Sequence, residues 1–307
     1  MVLASAWRPL VDMACDVALV VAAVVAVLAW GPWLVPLAVV LIGNRQRALG
    51  NILHDAGHRN LSRRRSVNDG IATLFLAPLL FADIRRYREL HARHHRHLGD
   101  DQKDPDYLFA PIEWPRHWWQ SFILQLAHPA AWRSSVVGHL GDAALNWQAR
   151  GWILGWWVVA LVMAAGAAGV EATLIGGLLW VLARATSFHA ITTFREMCDH
   201  HGREPGGVFS FTRDMVTKGM WRWLIHPRNN GYHLTHHLWP AVPYYRLPQA
   251  HRALLTDPVV CGRMSGCTGY FVGTGAVVRA WERGADLAEA GDRAEAVAIG
   301  QPVGVQR

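Results

Sequence analysis

The chain has 307 residues, 52% of them hydrophobic and only 17% charged, with a formal net charge of +7 at pH 7. Its four cysteines, Cys15, Cys198, Cys261 and Cys267, form neither a zinc pattern nor a dense disulfide framework, which suits a reducing compartment and excludes a small stapled secreted domain. Long uncharged runs exclude a wholly soluble protein.

Between Val17 and Gly43 no charged side chain occurs, and Gly31-Pro32 interrupts the run. This predicts a hairpin of two spans, residues 11–30 and 33–53, since about 20 residues cross the hydrocarbon layer. The second span carries Arg45 and Arg47 near its inner end, where long stems can snorkel. Ile71 to Ala82 is apolar but too short to cross, and is expected to lie in the interface or re-enter. A second hairpin is expected at 151–170 and 172–194, with Glu171 at its outer turn and Arg184 the one charge before Phe194.

Basic residues from Arg59 to Lys103, including Arg63, Arg64, Arg65, Arg85, Arg86, Arg88, Arg93 and Arg96, put that segment and both termini on the cytoplasmic side. The outer turns hold no Lys or Arg. The basic charge there suits anionic headgroups, and no nucleic-acid motif competes with that reading. Tryptophans such as Trp114, Trp118, Trp119, Trp132, Trp147, Trp152, Trp156 and Trp157 suit an interfacial belt. With no clear cleavage site, the first span is read as retained. The biased stretch from Ala285 to Arg307 is expected to be a disordered tail.

The expected fold class is therefore all-α: an integral membrane protein, residues 1–284, with four transmembrane helices as two hairpins and a cytoplasmic helical cap. Two hairpins deliver every histidine cluster to one side of the membrane.

Those clusters carry the chemistry. His54-Asp-Ala-Gly-His58, His91-Ala-Arg-His94-His95 and His233-Leu-Thr-His236-His237 place imidazoles three and four residues apart, on one helical face. A catalytic zinc needs about three ligands and a structural one four, so eight boxed histidines point to two metal ions. His117, His128, His139, His189, His226 and His251 are isolated and read as packed or interfacial, while His97 and His201 adjoin the clusters. Imidazole suits iron, zinc, copper and nickel alike, so ligand type alone does not name the metal.

The three boxes, the run His91 to Asp106 and the stretch Asn230 to Pro248 resemble the membrane fatty acid desaturases and their hydroxylase and carotenoid-ketolase relatives. The likeness extends from about Leu41 to Leu255. It implies a cytoplasmic centre of two iron ions that uses O₂ and external electrons to abstract hydrogen from an acyl or lipid-like alkyl chain. His54, His58, His91, His94, His95, His233, His236 and His237 then look like ligands, joined by His200, with His201 as the fallback. Asn230 resembles a residue that could hold a metal-bound water. Asp55, Glu196 and Asp199 could accept the free N–H of a ligating ring. For Asp104 and Asp106, a turn around Pro105 is at least as good a reading.

A fused haem module is not expected, because His-Pro-Gly-Gly is absent and Glu204-Pro-Gly-Gly207 resembles it only superficially. Electrons would come from a separate ferredoxin, rubredoxin or cytochrome with its reductase, and the substrate would be a membrane lipid or an acyl-carrier-linked chain. The boxes do not separate desaturation from hydroxylation or ketolation. Two remoter readings are a zinc intramembrane hydrolase, which lacks the Glu that a metalloprotease carries between its histidines, and a non-enzymatic metal carrier, whose histidines would line several spans.

Overall fold

A computed structural model describes residues 4–108 and 117–281. The proposed tail from Ala285 and the indole of Trp114 lie outside those residues. The described chain is mostly helical, with one two-stranded parallel sheet of Asp214–Met215 (β1) and Gly266–Cys267 (β2).

Helix α1, Trp7–Trp30, ends where Gly31 adopts φ 106°, a left-handed value that glycine tolerates without a Cβ clash. One 3₁₀ turn, Pro32–Leu34, leads into α2, Val35–Gly57. Helix α3, Arg65–Ile71, runs into a π-turn at Ala72–Leu76, and α4, Ile84–Arg96, follows. Short helices α5, Trp118–Leu126, and α6, Pro129–Val137, precede α7, Trp147–Ala168, and α8, Val170–Ala183. A π-turn at Arg184–Phe188 carries α8 onward into α9, His189–His200. The break of the second hairpin falls at Gly169, φ 85°, rather than at Glu171, because glycine reaches that dihedral and glutamate can begin the next helix.

Among the described residues, three helical stretches are long and apolar enough to cross a membrane: Trp7–Trp30, Trp147–Ala168 and Val170–His200. Helix α7 buries only Ile153, while Val162 and Met163 stand 66% and 70% exposed. An all-round apolar helix with so little packed surface is a lipid-facing one, so the chain is a membrane protein. Helix α2 differs. Its C-terminal half buries Asn44, Arg45, Gln46, Asn51 and Asp55 against the rest of the protein, so polar packing displaces the apolarity of a free-standing span.

The short apolar segment after Ile71 is anchored by indoles. Trp152, Trp156 and Trp157 of α7 donate to the carbonyls of Thr73, Leu74 and Pro78 at 3.2, 2.7 and 2.9 Å. A π-turn and a 3₁₀ turn leave carbonyls without regular helical partners, and irregular backbone near lipid persists only when protein groups satisfy it. These tryptophans thus hold fixed the segment that leads into α4.

Candidate metal centre

Three local devices aim the boxes. Helix α2 presents His54 in its last turn, and His58 is its C-terminal cap residue. Helix α4 starts at Asp83, whose carboxylate accepts from the amides of Arg85 and Arg86 at 3.0 and 2.8 Å, and it carries His91, His94 and His95 in its last two turns. The chain continues from α9 through α10, Val208–Phe211, and α11, Gly219–Ile225, to the six-residue helix α12, His233–Leu238. Buried Asp214 of β1 fixes α12 by accepting from the Thr235 amide at 3.0 Å and its hydroxyl at 2.6 Å.

The imidazoles gather into two groups, each with one ring nitrogen per residue within 4.8 Å of all the others. The first holds His54, His58, His91, His95 and His236; the second holds His94, His200, His233 and His237. Each HxxHH box is divided between them. His91 and His95, four residues apart, enter the first group while His94 enters the second; His233 and His237 enter the second while His236 enters the first. The stacked rings of His95 and His237, 4.2 Å apart, join the two groups.

Within each group the Nε2 atoms converge. His58 to His91 is 2.8 Å, His91 to His95 3.0 Å, His95 to His236 3.2 Å, His200 to His233 2.9 Å and His233 to His237 3.0 Å. A neutral imidazole has one N–H and one lone pair, so a ring of converging nitrogens cannot satisfy every member by hydrogen bonding alone. Nε2 of His54 is buried without a hydrogen-bond partner. Nitrogens bound to one ion at about 2.0–2.1 Å and at right angles lie roughly 2.9 Å apart, so the donor set fits a metal in each group.

Electrostatics favour the ligating form. Burial pushes His91, His233, His236 and His237 well below the usual imidazole range, reinforced by neighbouring histidines. Burial also lowers His95 to about 3 and, with Arg88, His58 to about 4. These rings are therefore neutral at neutral pH, each with one nitrogen lone pair free to bind a metal. His94 moves upward: burial lowers it, but Asp104 and Asp106 more than offset that. Nδ1 of His94 lies 2.8 Å from Asp104 Oδ1, which leaves Nε2 facing the second group.

The other named residues divide. Asp55 accepts from the Tyr244 amide at 2.8 Å and stands 3.8 Å from His54 Nδ1. Asp199 is 2.6 Å from the Arg195 guanidinium and 3.6 Å from both His233 Nδ1 and His226 Nε2. Asn230 buries an unpartnered Oδ1 beside a void of about 10 Å³ that His54 and His236 also line. Glu196 lies 3.9 Å from Arg195 and, among the described residues, is not a carboxylate that approaches a box histidine. His200 joins the second group with its Nδ1 at the Phe211 carbonyl, 3.1 Å, whereas His201 faces Trp281.

Sequence reasoning left one participant, Asp104, open between two roles and missed another, His251. Asp104 makes the turn, accepting from the amides of Gly99 and Asp106, and also the contact with His94. His251 bonds Asp214 at 2.8 Å and so supports α12. The spacing of His94 and Asp104, ten residues apart across a turn, held the signal for the first; nothing local marked the second. A cleft of about 430 Å³, lined in part by Arg96, Gly207 and Val208, reaches His95 and His237.

Comparison with known proteins adds an independent line. A family model described as fatty acid desaturase matches residues 28–259. The chain is 29% identical over 286 residues to dihydrorhizobitoxine desaturase of Bradyrhizobium elkanii, covering 85% of this chain and 79% of that protein. It is also 31% identical over 128 residues to an sn-1 oleoyl-lipid 12-desaturase of Anabaena variabilis, covering 39% of this chain and 35% of the relative. A third relative, the sn-1 oleoyl-lipid 12-desaturase of Picosynechococcus, is 39% identical over 100 residues, 31% of this chain and 28% of its own length.

Proposed function

The chain belongs to the fatty acid desaturase family and is an oxidoreductase enzyme, and from that premise we propose that it removes two hydrogens from an alkyl chain at a centre of two iron ions. The observation that carries this reading is the division of nine histidines into two adjoining groups of ring nitrogens. His54, His58, His91, His95 and His236 would hold one ion, and His94, His200, His233 and His237 the other. Bound iron would supply oxygen activation and abstraction of hydrogen from an unactivated C–H bond.

The balance of the reaction is one O₂, two electrons and two protons consumed per double bond, with two waters released. The electrons come from a separate ferredoxin, rubredoxin or cytochrome with its reductase. The protein's own residues set the stage: burial keeps ligating rings such as His91 and His233 neutral, Asp104 fixes the orientation of His94, and Asp214 fixes the start of α12.

Helix α2 is proposed as the fourth span, its apolar outer half matching α1 and its polar inner half reaching the site. The histidine groups then lie on one side, assigned to the cytoplasm with both termini by the basic residues from Arg59 to Lys103. Residues 1–284 form the enzyme unit. The substrate is an acyl or related alkyl chain, presented as a lipid or on a carrier.

The test is incubation of purified protein with O₂, a reduced ferredoxin system and a panel of acyl lipids, acyl-carrier thioesters and dihydrorhizobitoxine. Products lighter by two hydrogens and dependent on O₂ support desaturation. Products heavier by one oxygen would move the assignment to hydroxylation, and no oxidised product from any class would count against the reading.

A further inference from the structure

The turn before the third box is strained. Arg228 and Asn229 are consecutive non-glycine residues with φ 59°, in the left-handed region that L side chains rarely adopt. Such a conformation persists where the surroundings over-determine it. Here they do. Asn51 of α2 donates to the Pro227 carbonyl at 2.7 Å, Asn229 donates to the Tyr244 carbonyl at 3.1 Å, and Arg222 donates to Asn229 Oδ1.

The strongest hold comes from the far N-terminal helix. Arg228 donates to Asp12 Oδ1 at 2.8 Å and to the Asp12 carbonyl at 2.9 Å, and pairs with Asp16 Oδ1 at 2.8 Å. Asp12 and Asp16 are four residues apart on α1, so both carboxylates share one face. Asp16 is fully buried, at 0% exposure, and also pairs with Arg45 of α2 at 2.9 Å. Asp12 accepts in addition from the Tyr244 hydroxyl, and the amide of that tyrosine donates to Asp55 at 2.8 Å. A helix long and apolar enough to cross a membrane thus commits two carboxylates to the turn ahead of His233.

We propose that Asp12 and Asp16 are positioning residues: gripping Arg228, they hold the strained Arg228–Asn229 turn that aims Asn230 and the third histidine box at the first box. Asn230 lies directly after the turn, and its unpartnered Oδ1 borders the same void as His54 and His236. The proposal rests on the dimetal reading above, and names residues that touch neither substrate nor metal.

The test is anaerobic titration of detergent-solubilised, metal-stripped full-length protein with Co²⁺, reading ions bound per chain and the visible absorption of the bound ion. Wild type is expected to take up two. Asp12→Asn, which leaves the Asp16–Arg45 pair intact and so preserves the fold, should weaken one site tenfold or more and change its band at saturation. Asp12→Glu, which keeps the charge, should restore most of the affinity. Arg45→Met removes an ion pair of the same network without touching the turn, and should lower Tm while leaving affinity and band unchanged. Wild-type affinity and band in Asp12→Asn would overturn the proposal, as would equal loss in Arg45→Met, since either makes the network merely structural. Uptake of fewer than two Co²⁺ by wild type would overturn the dimetal reading and the proposal with it.

Discussion

Replacing Asp104 with asparagine keeps the shape of the side chain and removes its charge. Asp104 is 6% exposed; its Oδ1 faces His94 Nδ1 at 2.8 Å and the Asp106 amide at 3.0 Å, while Oδ2 accepts from the Gly99 amide at 3.0 Å. An amide has one acceptor oxygen, so one side must confront a donor with a donor. Hydrogen bonds to charged groups contribute roughly 1.5–3 kcal/mol against about 0.5–1.5 for neutral ones, so the His94 contact loses roughly 1–1.5 kcal/mol. That corresponds to about tenfold weaker binding at the second histidine group, the low end of the roughly 10–100-fold typical of lost partners to ligating histidines. The donor left unsatisfied costs a further 1–3 kcal/mol or so, read as a lower Tm. Metal titration monitored alongside thermal unfolding separates the two effects. Unchanged affinity at both groups, or loss confined to the group of His91 and His95, would refute the orienting role of Asp104.

Other outcomes follow from the same geometry. Removing His200 should cost metal at the second group, while His201→Ala should leave metal content intact; equal effects would mean that the ring facing Trp281 takes part. Asp214→Asn should destabilise α12 by about 1–3 kcal/mol and lower metal affinity, whereas a stability loss with unchanged affinity would make Asp214 a fold residue only. In the metal-free protein the depressed histidines are neutral when folded but protonate when unfolded, so below about pH 6.5 the unfolded chain binds more protons. Stability should fall as pH drops from about 6.5 towards the folded values, about 3 for His95, by roughly 1.4 kcal/mol per unit for each such histidine; His94, shifted upward, is protonated in both states over that window and loses its contribution only as pH rises above about 6.5. Denaturation midpoints that are flat between about pH 6.5 and 4.5 would contradict the buried neutral imidazoles.

Much of this site was legible because helical spacing is local. His54 and His58, and the two HxxHH boxes, could be assigned to common faces from residue numbers alone, and the uncharged runs located α1, α7 and α8. Their division into two groups was not legible, since it depends on the angle at which α4 and α12 meet: neighbours such as His94 and His95 point to different groups only once both helices are packed. Asp104 was ambiguous because a turn and a histidine contact draw on the same carboxylate, and the structure has both. Helix α2 reads from its sequence as an ordinary span, whereas its C-terminal half is given over to buried polar packing. The hold of Asp12 and Asp16 on Arg228 spans more than two hundred residues and leaves no periodic trace.

The most direct test is iron content per chain in anaerobically handled, detergent-solubilised protein, with His236→Ala and His233→Ala beside the wild type. Two irons in wild type, with each variant losing the ion of its own group, is the expected result. One zinc per chain, or metal unaffected by either substitution, would contradict the dimetal centre.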